Sequence, residues 1–163
     1  MNLVGIGYDI HPFASPEAGR KLILGGIEMQ HPAGLEGHSD ADVLCHAIAD
    51  AILGAIGEAD IGHHFPNSDE SLRGMSSLEI VRRSVQLAKA QGGRLINIDA
   101  TLIAEAPKIS PHLPQMRTTL ATALGLDPRR VGIKATTNER LGTLGRGEGI
   151  AAMAVASVEM PEA

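Results

Sequence analysis

The run Ile150-Ala-Ala-Met-Ala-Val-Ala-Ser-Val158 constrains the fold more than any other segment. Side chains alternate along a strand. Ile150, Ala152, Ala154, Ala156 and Val158 therefore line one face, and Ala151, Met153 and Val155 line the other. A strand apolar on both faces is covered on both faces. The helices that the rest of the sequence encodes cover one side of a sheet, so the second cover is expected to be another copy of the chain.

Residues 2–10 read as a first strand, and 21–29 as a hairpin turning at Gly25-Gly26. Residues 39–54 read as a helix: Ser39 and Asp42 fit its start, and Leu44, Ile48 and Ile52 fall on one face. Asp42, His46 and Asp50, four apart, fall on the other, which is expected to be free of packing. Residues 60–69 read as a loop. A second helix follows through Met75, Leu78, Val81, Val85 and Ala88, and Gly92-Gly93 ends it. Ile96, Ile98, Ala100, Leu102 and Ala104 alternate as the inward side of a strand. Ser110-Pro111 opens a third helix, which Gly125 stops. Val131 to Thr136 is a strand, 137–149 a glycine-rich loop, and 150–160 the last strand. The expected class is α+β in two layers: a mixed four-stranded sheet with helices on one face.

At 163 residues the chain is expected to form a single domain, 1–163. Tyr8, Phe13 and Phe65 are its only aromatic side chains, so the core must be aliphatic. A net charge of −5 and the lack of aromatics argue against nucleic-acid binding. Cys45 is the only cysteine, so an internal disulfide is impossible. No basic, apolar leader opens the chain and no run is long enough for a membrane span, so a cytoplasmic protein is expected.

Asp9 and His11, two apart on one strand, place a carboxylate and an imidazole on one face. Such a pair suits a divalent metal. His46 is either their third partner or a solvated histidine. His38, Asp40 and Asp42 are candidate ligands, groups that orient His46, or caps. His63 and His64, adjacent in a loop, are not expected to share an ion, and Cys45 reads as core. Asp60-Ile61-Gly62 lies in a loop whose carboxylate and amides suit hydroxyls or phosphate. Ala104 to His112 reads as a proline-fixed turn before a helix. Lys134, Thr136, Thr137, Glu139 and Arg146 follow one another from a strand end. Hydroxyls and amides there suit phosphate oxygens, and a carboxylate suits magnesium.

Taken in order, Gly-Tyr-Asp9-Ile-His11, Gly-His38-Ser39-Asp-Ala-Asp42-Val-Leu-Cys-His46, Asp60-Ile-Gly62, Ala-Pro107-Lys108, Lys-Ala-Thr136-Thr137 and Gly-Arg146-Gly-Glu148-Gly resemble the 2-C-methyl-D-erythritol 2,4-cyclodiphosphate synthase family over nearly the whole chain. The resemblance implies a phosphorus–oxygen lyase of non-mevalonate isoprenoid biosynthesis. Its substrate would be 4-diphosphocytidyl-2-C-methyl-D-erythritol 2-phosphate, whose 2-phosphate attacks the β-phosphorus and expels CMP. It implies zinc at Asp9, His11 and His46, and magnesium or manganese at the diphosphate near Glu139. It implies a homotrimer with active sites between subunits.

By the same resemblance His38 and Thr137 stabilise the transition state. His38 and Ser39 would contact the methylerythritol phosphate, and Asp60, Ile61 and Gly62 its hydroxyls. Ala104 to Lys108, with Pro107 between, would line the cytosine pocket through backbone groups. Thr136 and Thr137 would grip the diphosphate, Asn138, Glu139 and Thr143 would also contact substrate, and Arg146 and Glu148 would lie toward the trimer axis and the substrate phosphate. The chain departs from the family pattern at Asn67, Asn138 and Thr143, where an acid, Thr and an aromatic are frequent. Two alternatives remain: a metal-dependent phosphohydrolase that activates water at Asp9, His11 and His46, and a non-catalytic trimer that binds isoprenoid phosphates.

Overall fold

The structure, a computed structural model, describes residues 1–66 and 68–162; Asn67 lies outside the described residues. The chain runs β1 (Asn2–Pro12), β2 (Leu22–Leu24), β3 (Ile27–Met29), α1 (Val43–Ala55), α2 (Ile61–His64), α3 (Ser77–Ala90), β4 (Arg94–Ile103), α4 (Leu113–Leu124), β5 (Val131–Thr136), α5 (Gly142–Gly145) and β6 (Gly149–Glu159). The doubly apolar strand, β6, lies inside a four-stranded sheet of order β1-β6-β4-β5. It pairs antiparallel with β1 and β4, and β5 joins β4 in parallel after the crossover through α4. Mixed pairing and helices on one face agree with the expected class. Ile150, Ala152, Ala154, Ala156 and Val158 face the helices and are fully buried.

The other face is open. Val4, Ile6, Tyr8 and Ile10 of β1 and Met153 and Val155 of β6 are exposed on it, at 41 to 67%. Across the sheet its chemistry changes: Asp99 of β4 pairs with Lys134 of β5. Register also fixes a rim. Ile10, Ala151, Ile103 and Thr136 form one continuous row across the four strands. The ends of β1 and β5 thus lie on the same rim but three strand spacings apart, about 14 Å.

Helix α1 rests directly on β1. A Cβ at Gly7 would stand 1.9 Å from the Ala47 carbonyl oxygen, and one at Gly5 would stand 2.0 Å from that of Ala51. Only residues without side chains allow this approach. α1 lies between the sheet and α3, so nearly all of it is buried. This corrects the expected free polar face: His46 is only 6% exposed and Asp42 is fully buried. The helix also begins four residues later than expected.

Its cap is Asp42, not Ser39. The Asp42 carboxylate accepts from Cys45 N at 3.2 Å, Gly25 N at 3.0 Å and Gly26 N at 2.7 Å. Gly25 and Gly26 have φ of 58° and 77°, the left-handed pair of a two-residue hairpin turn. One carboxylate therefore ties the β2–β3 turn to the start of α1. Burial, reinforced by the charge of Asp40, pushes the Asp42 carboxyl above its ordinary value. Burial and then the charge of Asp42 push the Cys45 thiol well up, in keeping with a core residue.

Three further corrections are local. The segment read as loop 60–69 contains α2, capped by Asp60, whose side chain accepts from His63 N at 3.0 Å. The loop 137–149 contains α5. A bulge between Leu95 and Asn97 replaces Ile96 with Leu95 on the inward side of β4.

Candidate active site

Strand alternation puts Asp9 and His11 on the helix-facing side of β1, and the close approach of α1 sets His46 between them. His46 Nδ1 lies 2.8 Å from Asp9 Oδ2, His11 Nε2 lies 2.9 Å from the same oxygen, and the two nitrogens are 3.2 Å apart. Tetrahedral zinc with nitrogen and oxygen ligands near 2.05 Å has ligand–ligand edges of about 3.3 Å. The three atoms converge on a volume of that size and could hold a metal ion.

The surrounding hydrogen bonds hold the far side of the His46 ring and leave Nδ1 facing the cluster. His46 Nε2 is 3.0 Å from Ser77 Oγ and 3.1 Å from Ser39 Oγ. Ser77 Oγ donates its proton to Asp40 Oδ1, and Asp40 also accepts from Ser77 N at 3.1 Å. With its proton committed, Ser77 Oγ can only accept, so the network assigns the His46 proton to Nε2. Nδ1 then faces the Asp9 carboxylate, and either a proton or a metal ion can bridge the two at 2.8 Å.

The three groups also shift one another's titration. Burial pushes the Asp9 carboxyl up, but hydrogen bonds and charge from His11 and His46 outweigh it and hold the group well below the usual carboxylate range. Burial lowers His11, yet the hydrogen bond and charge of Asp9 leave it raised.

The cluster opens into a cavity of about 200 Å3 lined by His38, Ser39, Ile61, Gly62, Phe65 and Met75, among others. His38 is held at the entrance, its Nε2 3.1 Å from the Asp69 carbonyl. Asp50, one turn beyond His46, accepts from Ile61 N at 2.8 Å and fixes the start of α2 against α1. Asp60 caps α2 and does not line this cavity; it borders a neighbouring hollow with Tyr8, Asp50 and Glu58.

The second group of expected residues lies at the β5 edge. Ala104, Pro107, Lys108, Thr136 and Thr137 line a hollow of about 360 Å3 together with Glu105 and Ser110. Thr137 Oγ1 donates to Glu139 Oε1 at 3.2 Å. Asn138 Nδ2 donates to Leu141 O at 2.7 Å. Thr143 borders a third hollow with Ile10, His11 and Glu148, where Arg146 Nε donates to Glu148 Oε1 at 2.5 Å.

Within one chain, then, His38 and Thr137 are not brought together. They sit at opposite ends of the same rim. Sequence reading passed over Ser77, Phe65 and Met75, and of Glu105 it used the backbone and not the carboxylate. Ser77 and Glu105 act through partners more than 30 residues away, and no local pattern marks such pairings.

The fold and cluster define a class: an α+β protein with an Asp/His/His metal-binding arrangement at the edge of a mixed sheet. The model of the YgbB family matches residues 2–159, and the chain belongs to that family. It is 61% identical over 160 residues to 2-C-methyl-D-erythritol 2,4-cyclodiphosphate synthase of Akkermansia muciniphila, covering 98% of this chain and 94% of that one. The synthase of Symbiobacterium thermophilum is 53% identical over 156 residues, covering 96% of this chain and 98% of that one. A solved 2C-methyl-D-erythritol-2,4-cyclodiphosphate synthase bound to CDP superposes with a TM-score of 0.86 at 33% identity, covering 96% of this chain and 99% of that one.

Proposed function

We propose that the chain converts 4-diphosphocytidyl-2-C-methyl-D-erythritol 2-phosphate to 2-C-methyl-D-erythritol 2,4-cyclodiphosphate and CMP, as a phosphorus–oxygen lyase supplying isoprenoid precursors. The observation that carries the reading is the cluster of Asp9, His11 and His46, able to hold a metal ion and opening into a cavity that His38 and Ser39 also line. An oxygen of the 2-phosphate bonds to the β-phosphorus, and the bond from that phosphorus to the bridging oxygen breaks. CMP leaves with the bridging oxygen, and no water is consumed. In-line phosphoryl transfer of this kind needs positioning and charge neutralisation more than covalent participation by the protein.

Two histidines and a carboxylate suit zinc at Asp9, His11 and His46, and the Glu139 carboxylate suits magnesium or manganese. When bound, such ions neutralise phosphate charge and polarise phosphoryl oxygens. The protein's own groups do the rest. His38 and Ser39 hold the methylerythritol phosphate, and the backbone of Ile61 and Gly62, set by the Asp60 cap of α2, receives its hydroxyls. Ala104, Pro107 and Lys108 enclose the cytosine. Thr136, Thr137 and Asn138 hold the diphosphate, and His38 and Thr137 stabilise its transition state. Arg146 and Glu148 flank the phosphate end.

The two half-sites meet when copies pack through the exposed apolar faces of β1 and β6. A ring of three sets the β5 rim of one copy beside the β1 rim of the next. The proposed state is therefore a single-domain homotrimer with active sites between subunits. Among the described residues, no helix is long and apolar enough to cross a membrane. A biosynthetic enzyme of this kind belongs in the cytoplasm.

Phosphorus NMR of a reaction with the cytidine-diphosphate substrate tests the assignment. Cyclic diphosphate and CMP are expected, and a chelator should stop both. A linear phosphate carrying solvent oxygen would identify a hydrolase instead, and no conversion would leave a binding protein. Sedimentation at micromolar concentration should give three times the chain mass; a monomer would overturn the shared site.

A further inference from the structure

We infer that Glu105 is a positioning residue for the reaction, its carboxylate holding the Thr137–Arg140 segment in the conformation that presents Thr137 and Glu139. This rests on the proposed function. Glu105 follows the end of β4, where Ala104 N donates to Thr136 O at 3.0 Å and carries the parallel ladder one step beyond the strand. The chain leaving β5 then turns away from β4, and its amides lose their ladder partners. Glu105 replaces them. Its Oε1 alone accepts from Asn138 N at 3.0 Å and Arg140 N at 3.1 Å.

The held segment is under backbone strain. Glu139 and Arg140 have φ of 51° and 62°, consecutive left-handed residues that are not glycine. Strain of this kind persists only where the surroundings over-determine it. Here Gly145 packs so closely beneath Arg140 that a Cβ would come within 2.1 Å of the Arg140 carbonyl carbon. Leu141 N donates to Asn138 O at 2.9 Å, closing the turn. Thr137 Oγ1 accepts from Glu139 N at 3.3 Å. Of these restraints, Glu105 is the one that comes from another strand, and it fixes the segment's position relative to the hollow beside Lys108. A carboxylate aimed at backbone amides differs in kind from the ones expected to meet substrate or metal.

Three whole-protein variants test this: Glu105→Gln, Glu105→Ala and Glu105→Asp. The amide oxygen of Glu105→Gln still accepts both N–H groups. It should retain kcat within about threefold and keep the Asn138 and Arg140 amides protected from hydrogen exchange. Glu105→Ala removes the acceptor, and Glu105→Asp withdraws it by one methylene. Both should lower kcat by about 10- to 100-fold, because misplacing a positioning loop by about an ångström costs that much, while KM changes less. Both should also lose the amide protection with little change in melting temperature. Wild-type kcat in Glu105→Ala overturns the inference, and so does a Glu105→Gln variant as impaired as Glu105→Ala. The exchange measurement needs no turnover. If the wild type makes no cyclodiphosphate, the functional reading falls while amide protection still judges the carboxylate; retained protection in Glu105→Ala sinks it.

Discussion

Around Asp9, His11 and His46 the side chains are held and the backbone is ordinary strand and helix. Around Thr137 and Glu139 the backbone is held and the side chains are exposed. His46 sits in a helix buried on all sides, with Ser77, itself fully buried, fixing the far nitrogen of its ring. Glu139 stands in a strained turn pinned by Glu105. The difference suits two tasks. A cation cluster needs fixed atom positions to sub-ångström tolerance, which packed regular elements provide. A segment proposed to receive a diphosphate needs side chains presented at an exposed edge, which a loop leaving a strand end provides.

The largest effect should come from breaking the first half. His46→Ala is expected to abolish metal binding, read by metal analysis after dialysis, and to lower turnover by at least about 1,000-fold, since a removed ligand takes the Lewis acid with it. Retained activity in that variant would sink the cluster as the anchor of the reaction.

Gly7→Ala strikes the same half through packing. Its new methyl would meet the Ala47 carbonyl at 1.9 Å. Helix α1 must lift off β1, at a cost of about 3 kcal/mol or more in chemical denaturation, and the distance between His46 and Asp9 must grow. A stability equal to wild type would mean that the contact is softer than the geometry states.

Asp42 tests the support beneath the cluster. Asp42→Ala strands three backbone N–H groups and should cost about 3 kcal/mol, whereas Asp42→Asn keeps one acceptor oxygen and should cost less. The pH dependence has a definite sign. The folded Asp42 carboxyl is raised above the ordinary 3.8, chiefly by burial. Its contribution to stability is therefore greatest below 3.8 and falls as pH rises through the folded value. Denaturant melts from pH 4 to 7 should show the wild type losing stability relative to Asp42→Asn as pH increases. The opposite slope would mean that the three N–H groups outweigh burial.

The smallest effect belongs to the strained turn. Arg140→Gly relieves a left-handed backbone at φ 62° and should raise stability by up to about 1 kcal/mol. The same substitution in α1 would only destabilise.

Much of the first half was legible in the sequence because its physics is local. A two-residue spacing puts Asp9 and His11 on one face of any strand, and Gly25-Gly26 announces its own turn. The buried state of His46 was not legible. Periodicity separated Leu44, Ile48 and Ile52 from Asp42, His46 and Asp50, but it could not reveal that α3 covers the polar side. Nor could it reveal that Asp42 and Asp50 spend their charge on backbone amides. Ser77 and Glu105 escaped for the same reason: each acts on a segment more than 30 residues away, and only the packed fold brings them together. The separation of Thr137 from His38 follows from strand order, which hydrophobic alternation does not encode.

That separation has a genetic consequence. In the proposed ring every reaction centre draws Asp9, His11 and His46 from one copy and Thr137 from its neighbour. A His46→Ala chain and a Thr137→Ala chain are each inert alone, yet refolded together they should complement one another. With random mixing at equal amounts, about one junction in four joins two intact halves, so about a quarter of wild-type turnover should return from two dead parents.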